Sequence, residues 1–303
     1  MHMNNIKVST FYNFTAFDNL KEIREPLLIF CKKNKIKGSI LIAFEGINGT
    51  IAGNPHEIEI VLKYIKSLPG CNSIKSKNSY TSTMPFNRMK VRIKKEIVKM
   101  GQPNIDPRKA VGKYITAENW NELMENDDIV IIDTRNEYEV EIGTFEGSIN
   151  PKTESFSQFP KWWEDNKSKY LNKKIAMFCT GGIRCEKSSN YLLNNGVQDV
   201  YHLEGGILKY LENIEEKNSK WQGECYVFDH RVSVVHGLNN GSYDCCFACG
   251  RPISENDKKQ SSYEYGVSCK KCINEFSEKR KTQFRERQKQ IQLAEKKGER
   301  HLG

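Results

Sequence analysis

No stretch of this 303-residue chain approaches the roughly 18 consecutive apolar residues that a membrane-spanning helix needs, which excludes a helical membrane protein. The first residues, MHMNNIKVSTFYNF, lack a charged region followed by an apolar core, so no signal peptide is expected and the cytoplasm is the expected compartment. Histidine is scarce: there are six, and no two stand at the H-x-x-x-H spacing of a helical metal site. His202 and His230 are candidates for catalysis, but the better expectation is a satisfied structural role. The chain carries no haem, flavin or facial-triad iron signature and no internal repeat.

Cysteine is plentiful by contrast, with ten residues. In a long cytoplasmic chain these point to catalysis, metal binding or burial ahead of disulfides. Charge is unevenly spread. Residues 1–100 hold 17 Lys and Arg against 7 Asp and Glu, a net of +10, whereas residues 101–220 hold 15 against 20, a net of −5. Residues 221–275 are near neutral, with 6 against 7, and residues 276–303 are basic again, with 9 against 4. A basic first segment and a basic tail attract polyanions, of which nucleic acid is the commonest; ordinary solvated lysine is the competing reading.

Residues 6–14 alternate apolar and polar as a strand does, and residues 18–34 place Leu20, Ile23, Leu27, Leu28 and Cys31 on one helical face. Residues 38–45 read as a buried strand, Gly46, Asn48 and Gly49 as a turn into a third strand, and 55–67 as a helix starting at Pro55. A β-rich stretch runs on to about residue 95. The order βαββαβ predicts a ferredoxin-like or acylphosphatase-like domain over 1–95. Phe11, Tyr12, Phe14 and Phe17 are read as core, with base stacking as the alternative. A linker is expected over 96–115, with Gly101, Pro103, Pro107 and Gly112. Strand–helix units then follow: a helix N-capped by Thr116, strands at 129–133, 175–178 and 199–203, and a helix from about 186 to 194. This predicts an α/β domain with a parallel sheet over 116–219, its ligands at the carboxyl ends of the strands. Trp162 and Trp163 are expected to cover it, and Glu137 and Glu139 to form a solvated helix face. A cysteine-rich region follows at 220–275, and a basic tail at 276–303.

The segment 179–185, CTGGIRC, follows a buried-looking strand and precedes a helix. A thiol is a weak nucleophile until ionised; backbone N–H groups at a helix start and a nearby cation favour the thiolate. Gly181 and Gly182 let the backbone curl so that N–H groups converge, and Arg184 adds a fixed charge. Phosphatases of this kind place five residues between cysteine and arginine to encircle a phosphate. Here four intervene, and the smaller ring suits a sulfur atom. The alternative is a structural cysteine beside a turn.

IIDTRNEYEVEIGTFEGSINP at 131–151, the CTGGIR loop and HLEGGILKY at 202–210 together resemble a rhodanese domain. With LLIFCK at 27–32, EGINGT at 45–50, CTGGIRCEKSS, WQGECYVFD at 221–229 and a cysteine-rich end, nearly the whole chain resembles the rhodanese-containing tRNA uridine hydroxylases. That resemblance implies conversion of the tRNA wobble uridine to 5-hydroxyuridine with molecular oxygen as co-substrate, and contact with the anticodon region. It implies that Cys179 is the active-site cysteine and bears a persulfide, that Arg184 holds the anion or thiolate, that Cys185 resolves or protects the first cysteine, and that Asp133 and Arg135 stabilise the site.

Cys246-x2-Cys249 and Cys269-x2-Cys272, with 19 residues between the pairs, have the spacing of two knuckles closing one tetrahedral zinc site. Gly250 permits the knuckle turn, and Cys245 competes with Cys246 as ligand. Four reduced cysteines without metal are the alternative. Three functions therefore stand open: a tRNA-modifying oxygenase, a sulfurtransferase passing persulfide sulfur from thiosulfate or a carrier, and a non-catalytic RNA-binding or zinc scaffold.

Overall fold

The computed structural model describes residues 6–298, which form two compact units: residues 6–229 with 234–240, and residues 230–233 with 241–298.

The first unit begins with β1 (Ile6–Phe14), α1 (Leu20–Lys33), β2 (Lys37–Ala43), β3 (Gly46–Gly53), α2 (Pro55–Lys66), β4 (Ser76–Thr81) and β5 (Met89–Ile93). The strand order is β4-β1-β3-β2-β5, antiparallel except for β5, which adds parallel to β2. Asn19 and Asn54 cap the two helices with side chains that accept from Glu22 and His56 N–H groups. The helices lay Leu27, Cys31, Ile58, Val61 and Ile65 on the sheet face bearing Phe11, Ile40, Ile42 and Ile51. The acylphosphatase-like βαββαβ expectation is therefore met, with one extra edge strand.

Phe11 and Phe17 are core, as read from the sequence, but Tyr12 and Phe14 are not: alternation along β1 turns them away from the helices. The expected linker is also structured. Ile97 and Met100 are buried within it, and it ends as β6 (Lys113–Ile115), parallel to a strand of the next sheet.

That sheet has the order β6-β10-β9-β7, all parallel, built from β7 (Ile129–Asp133), β9 (Lys174–Phe178) and β10 (Val200–Leu203). The intervening elements are α3 (Ala117–Met124), the one-turn α4 (Glu137–Val140), β8 (Gly143–Phe145), α5 (Phe159–Tyr170), α6 (Ile183–Asn194) and α7 (Gly206–Asn213). Trp120, Phe145, Phe178, Ile207 and Tyr210 fill one face; Ile132, Phe159, Trp163, Met177 and Leu192 fill the other. β11 (Trp221–Gly223) closes back antiparallel on β8.

Between the two sheets Lys187 of α6, 2% exposed, sits between Glu45 at 2.8 Å and Glu96 at 2.7 Å. Glu45 also accepts the Ile97 N–H at 2.7 Å. The glutamate of EGINGT thus ties the first domain to the second.

The second unit is a small knuckle module. Strands Asp244–Cys245 and Pro252–Ile253 pair, and the helix Glu278–Lys296 packs Phe284 against Phe276. Phe284 lies between the Arg280 and Arg287 guanidiniums, and Arg285 pairs with both oxygens of Glu264. The segment read as a basic tail is thus helical through Lys296. No helix among the described residues is long and apolar enough to cross a membrane.

Candidate active site

β9 delivers Cys179 to the carboxyl edge of the sheet, where it is 1% exposed. α6 starts at Ile183, three residues earlier than the sequence suggested, because Gly182 takes the left-handed conformation (φ +95°) as its N-cap. That conformation favours glycine. The turn aims the Gly182 N–H at Cys179 Sγ, 3.1 Å away, and the N–H groups of Arg184 and Cys185 converge on the same sulfur. A Cβ on Gly181 would meet no atom within 4 Å, so this residue leaves the mouth of the loop open.

The HLEGGIL motif holds the loop from the other side. The Ile207 and Leu208 N–H groups of α7 donate to the carbonyls of Cys179 and Thr180, each at 3.0 Å. A Cβ on Gly206 would lie 2.4 Å from the Cys179 carbonyl oxygen, so only glycine lets α7 approach so closely.

Burial alone would raise the Cys179 pKa. The hydrogen bond from Cys185, the Arg184 charge and the converging N–H groups outweigh it and bring the thiol down to about 6. Cys185 moves the opposite way: burial and the neighbouring sulfur push its thiol far up, and it lies 3.6 Å from Thr134 Oγ1. Cys185 is therefore a protonated partner to the Cys179 sulfur, not a ready nucleophile.

Two sequence readings need correction. Glu139 is not on a solvated face; it is fully buried, and Arg184 grips it through Nη1 at 2.7 Å and Nη2 at 2.6 Å. Arg184 consequently points its fork at the Glu139 carboxylate and not at the Cys179 sulfur. Its guanidinium is spent on Glu139, and only its field reaches the sulfur. The cause is the turn 133–139. Asp133 and Arg135, both fully buried, pair at 2.6 Å, and Arg135 also donates to the carbonyls of Glu139 and Gly143. The turn so fixed brings Glu139 inward. Burial works against ionisation of Glu139, but the two arginines hold its carboxyl below the usual range. The pattern Asn136-x-x-Glu139, in which Glu139 accepts the Asn136 N–H at 3.0 Å, is a helix-start signal that could have flagged it.

The sequence reading also missed a group supplied by the first domain. Glu186 of α6 accepts from Tyr12 at 2.8 Å and from Tyr114 at 2.9 Å and 3.1 Å, and Lys77 donates to the Gly181 carbonyl at 2.8 Å. His202 is buried, with Nε2 3.1 Å from the Gly112 carbonyl and Nδ1 without a partner among the described residues, and burial depresses it to about 4.

In the second unit, the sulfurs of Cys246, Cys249, Cys269 and Cys272 all lie within 4.8 Å of one another. The chain's choice is Cys246, not Cys245, whose sulfur turns to the Cys246 carbonyl. Four convergent thiols with no other donor suit a tetrahedral thiophilic metal.

The fold and the loop define an acylphosphatase-like domain joined to a rhodanese-like domain with a cysteine centre. Residues 6–97 match the UPF0176 acylphosphatase like domain, and residues 116–213 match the Rhodanese-like domain. The proteins named tRNA uridine(34) hydroxylase from Roseobacter denitrificans and Ruegeria pomeroyi are 54% and 56% identical to this chain, over 95% and 97% of it and 98% of each relative. That from Gluconobacter oxydans is 51% identical over 98% of the chain and 96% of its own length. The chain belongs to the tRNA uridine(34) hydroxylase family.

Proposed function

We propose that this protein is a cytoplasmic enzyme that hydroxylates uridine 34, the wobble position of tRNA, to 5-hydroxyuridine with molecular oxygen as co-substrate, and that Cys179 is its reactive, persulfide-bearing cysteine. The observation that carries the reading is identity above one half, over nearly the full length, to relatives bearing that activity in their names. The Cys179 loop supports it, because it is a site able to hold ionised sulfur. The basic first domain suits a polyanionic substrate. At the rim of the loop the Arg184 guanidinium lies 5.9 Å from the ring of Phe228, which is 59% exposed and offers a face on which a base can stack. The four-residue spacing from Cys179 to Arg184 favours a second reading, sulfur transfer from thiosulfate or a carrier.

Purified protein incubated with tRNA transcript under air and under argon separates the two. Nucleoside mass analysis is expected to find one added oxygen atom on uridine under air only. Unmodified uridine in both, with brisk thiocyanate formation from thiosulfate and cyanide, would establish the sulfurtransferase instead.

We also assign a structural zinc ion to Cys246, Cys249, Cys269 and Cys272. Metal analysis is expected to find about one zinc per chain, by the one-ion-per-four-cysteine stoichiometry of such sites. Cys272→Ser is expected to lose it and to expose the 241–298 module to proteolysis. Full-length protein purified without zinc yet equally protease-resistant would remove the assignment.

A further inference from the structure

Two side chains at the Cys179 loop, Lys77 and Tyr12, come from outside the rhodanese domain. Lys77 stands on the edge strand β4 of the first sheet, and its ammonium donates to the Gly181 carbonyl at 2.8 Å. Its stem runs past α7, where a Cβ on Gly205 would lie 3.2 Å from Lys77 Cε. The same ammonium sits 5.1 Å from the centre of the Tyr12 ring, and the Tyr12 hydroxyl is bonded to Glu186.

Around the sulfur the charges are not equivalent. Arg184 is bound through two nitrogens to the Glu139 carboxylate, so its field reaches the sulfur from a paired guanidinium. Lys77 donates instead to a neutral carbonyl of the loop. We propose that Lys77 of the first domain is a positioning residue of the Cys179 site: its ammonium fixes the CTGG turn through Gly181 and supplies a second cation, besides Arg184, in whose field the Cys179 thiolate forms. The loop is then complete only with a side chain from the acylphosphatase-like domain.

The groups facing Lys77 are consistent with that assignment. Burial lowers its pKa most, and Lys209 adds to this; Cys179, Glu186 and Glu204 counteract, leaving it at about 8. A thiolate that favours the ammonium is favoured by it in equal measure. Lys77 is thus still charged near neutrality, and its support of the thiolate fades as pH rises through about 8. Tyr12 and Tyr114 hold the Glu186 carboxyl in place, and burial raises that carboxyl's pKa, which weakens its opposition to a second negative charge nearby.

The proposal deepens the reading of Cys179 as the reactive centre, but its test does not depend on hydroxylation. In full-length protein, thiolate absorbance near the ultraviolet edge is followed against pH, and the curve of Cys179→Ser is subtracted to isolate Cys179. Lys77→Gln keeps a donor for Gly181 and removes the charge; Lys77→Arg keeps both. Lys77→Gln is expected to move the Cys179 midpoint up by about one pH unit, roughly a tenfold loss of thiolate below the midpoint. Lys77→Arg is expected to stay close to the native curve. Both variants should fold, since Lys77 stands on an edge strand and is not part of the apolar core of the first domain. A Lys77→Gln curve that overlays the native one overturns the proposal, and so does a Lys77→Arg curve displaced as far as that of Lys77→Gln. Absent hydroxylation with the expected titration would count against the function proposed above and leave this assignment standing.

Discussion

Cys179→Ser is expected to reduce 5-hydroxyuridine formation by at least roughly a thousand-fold, the order lost when an essential nucleophile is removed. The fold should be little changed. Serine is close in size to cysteine, and the buried N–H groups of Gly182, Arg184 and Cys185 can donate to a hydroxyl oxygen as they do to sulfur. Chemistry is lost for a different reason. A serine hydroxyl stays protonated where the Cys179 thiol is lowered to about 6, and oxygen cannot carry the sulfane sulfur of a persulfide. Cys185→Ser should cost far less, because the Cys185 thiol stays protonated and a hydroxyl can also donate to the Cys179 sulfur. The measurement is nucleoside mass analysis of tRNA treated under air, alongside thermal midpoints and tRNA binding of each variant. A Cys179→Ser protein that hydroxylates at the native rate would make this loop a structural turn.

The second large effect is on stability. Glu139→Ala is expected to destabilise the first unit by about 3–5 kcal/mol, because it strands the Arg184 guanidinium in a buried site. Arg184 is only 7% exposed at its side chain and Glu139 not at all, so water cannot readily replace the lost partner. Thr180 Oγ1, which donates to Glu139 at 3.2 Å, loses its acceptor too. A fall in thermal midpoint of roughly 10 °C is the expected reading. Arg184→Leu should cost a similar amount by leaving the carboxylate unpaired, while the double change Glu139→Met with Arg184→Leu should recover part of the loss. Additive single effects in that cycle would mean the two side chains are not a unit.

The two changes separate roles that lie only a few residues apart. Cys179 is buried and is the residue proposed to carry the reaction. The Asp133–Arg135 and Glu139–Arg184 pairs are buried and hold the frame. Their positions explain why the Arg184 guanidinium binds the Glu139 carboxylate directly and reaches the Cys179 sulfur only through its field.

Much of this was legible in sequence because it depends on local pattern. Apolar periodicity marked most strands of both domains and the helices α1, α2 and α3, and Gly182 of CTGGIRC with both glycines of HLEGGIL marks turns whose left-handed backbone favours glycine. The x2 spacing of the cysteine pairs foretold the four-sulfur cluster. Other features depend on which surfaces meet across long sequence separations, and no local rule reports that. Glu139 looked solvated because a helix of one turn has too short a pattern to show a buried face; the Asp133–Arg135 pair turns it inward. Tyr12 looked like core because alternation does not say what the second face of a sheet will touch, and that face meets α6, 174 positions away. The sequence by itself determined most of the strands, several of the helices and the spacing of the thiol cluster, and it singled out Cys179 as the candidate reactive cysteine. Only the tertiary structure decided which charges surround the sulfur, because the cation nearest the loop's carbonyl, Lys77, comes from a separate domain whose docking is fixed by Lys187 between Glu45 and Glu96.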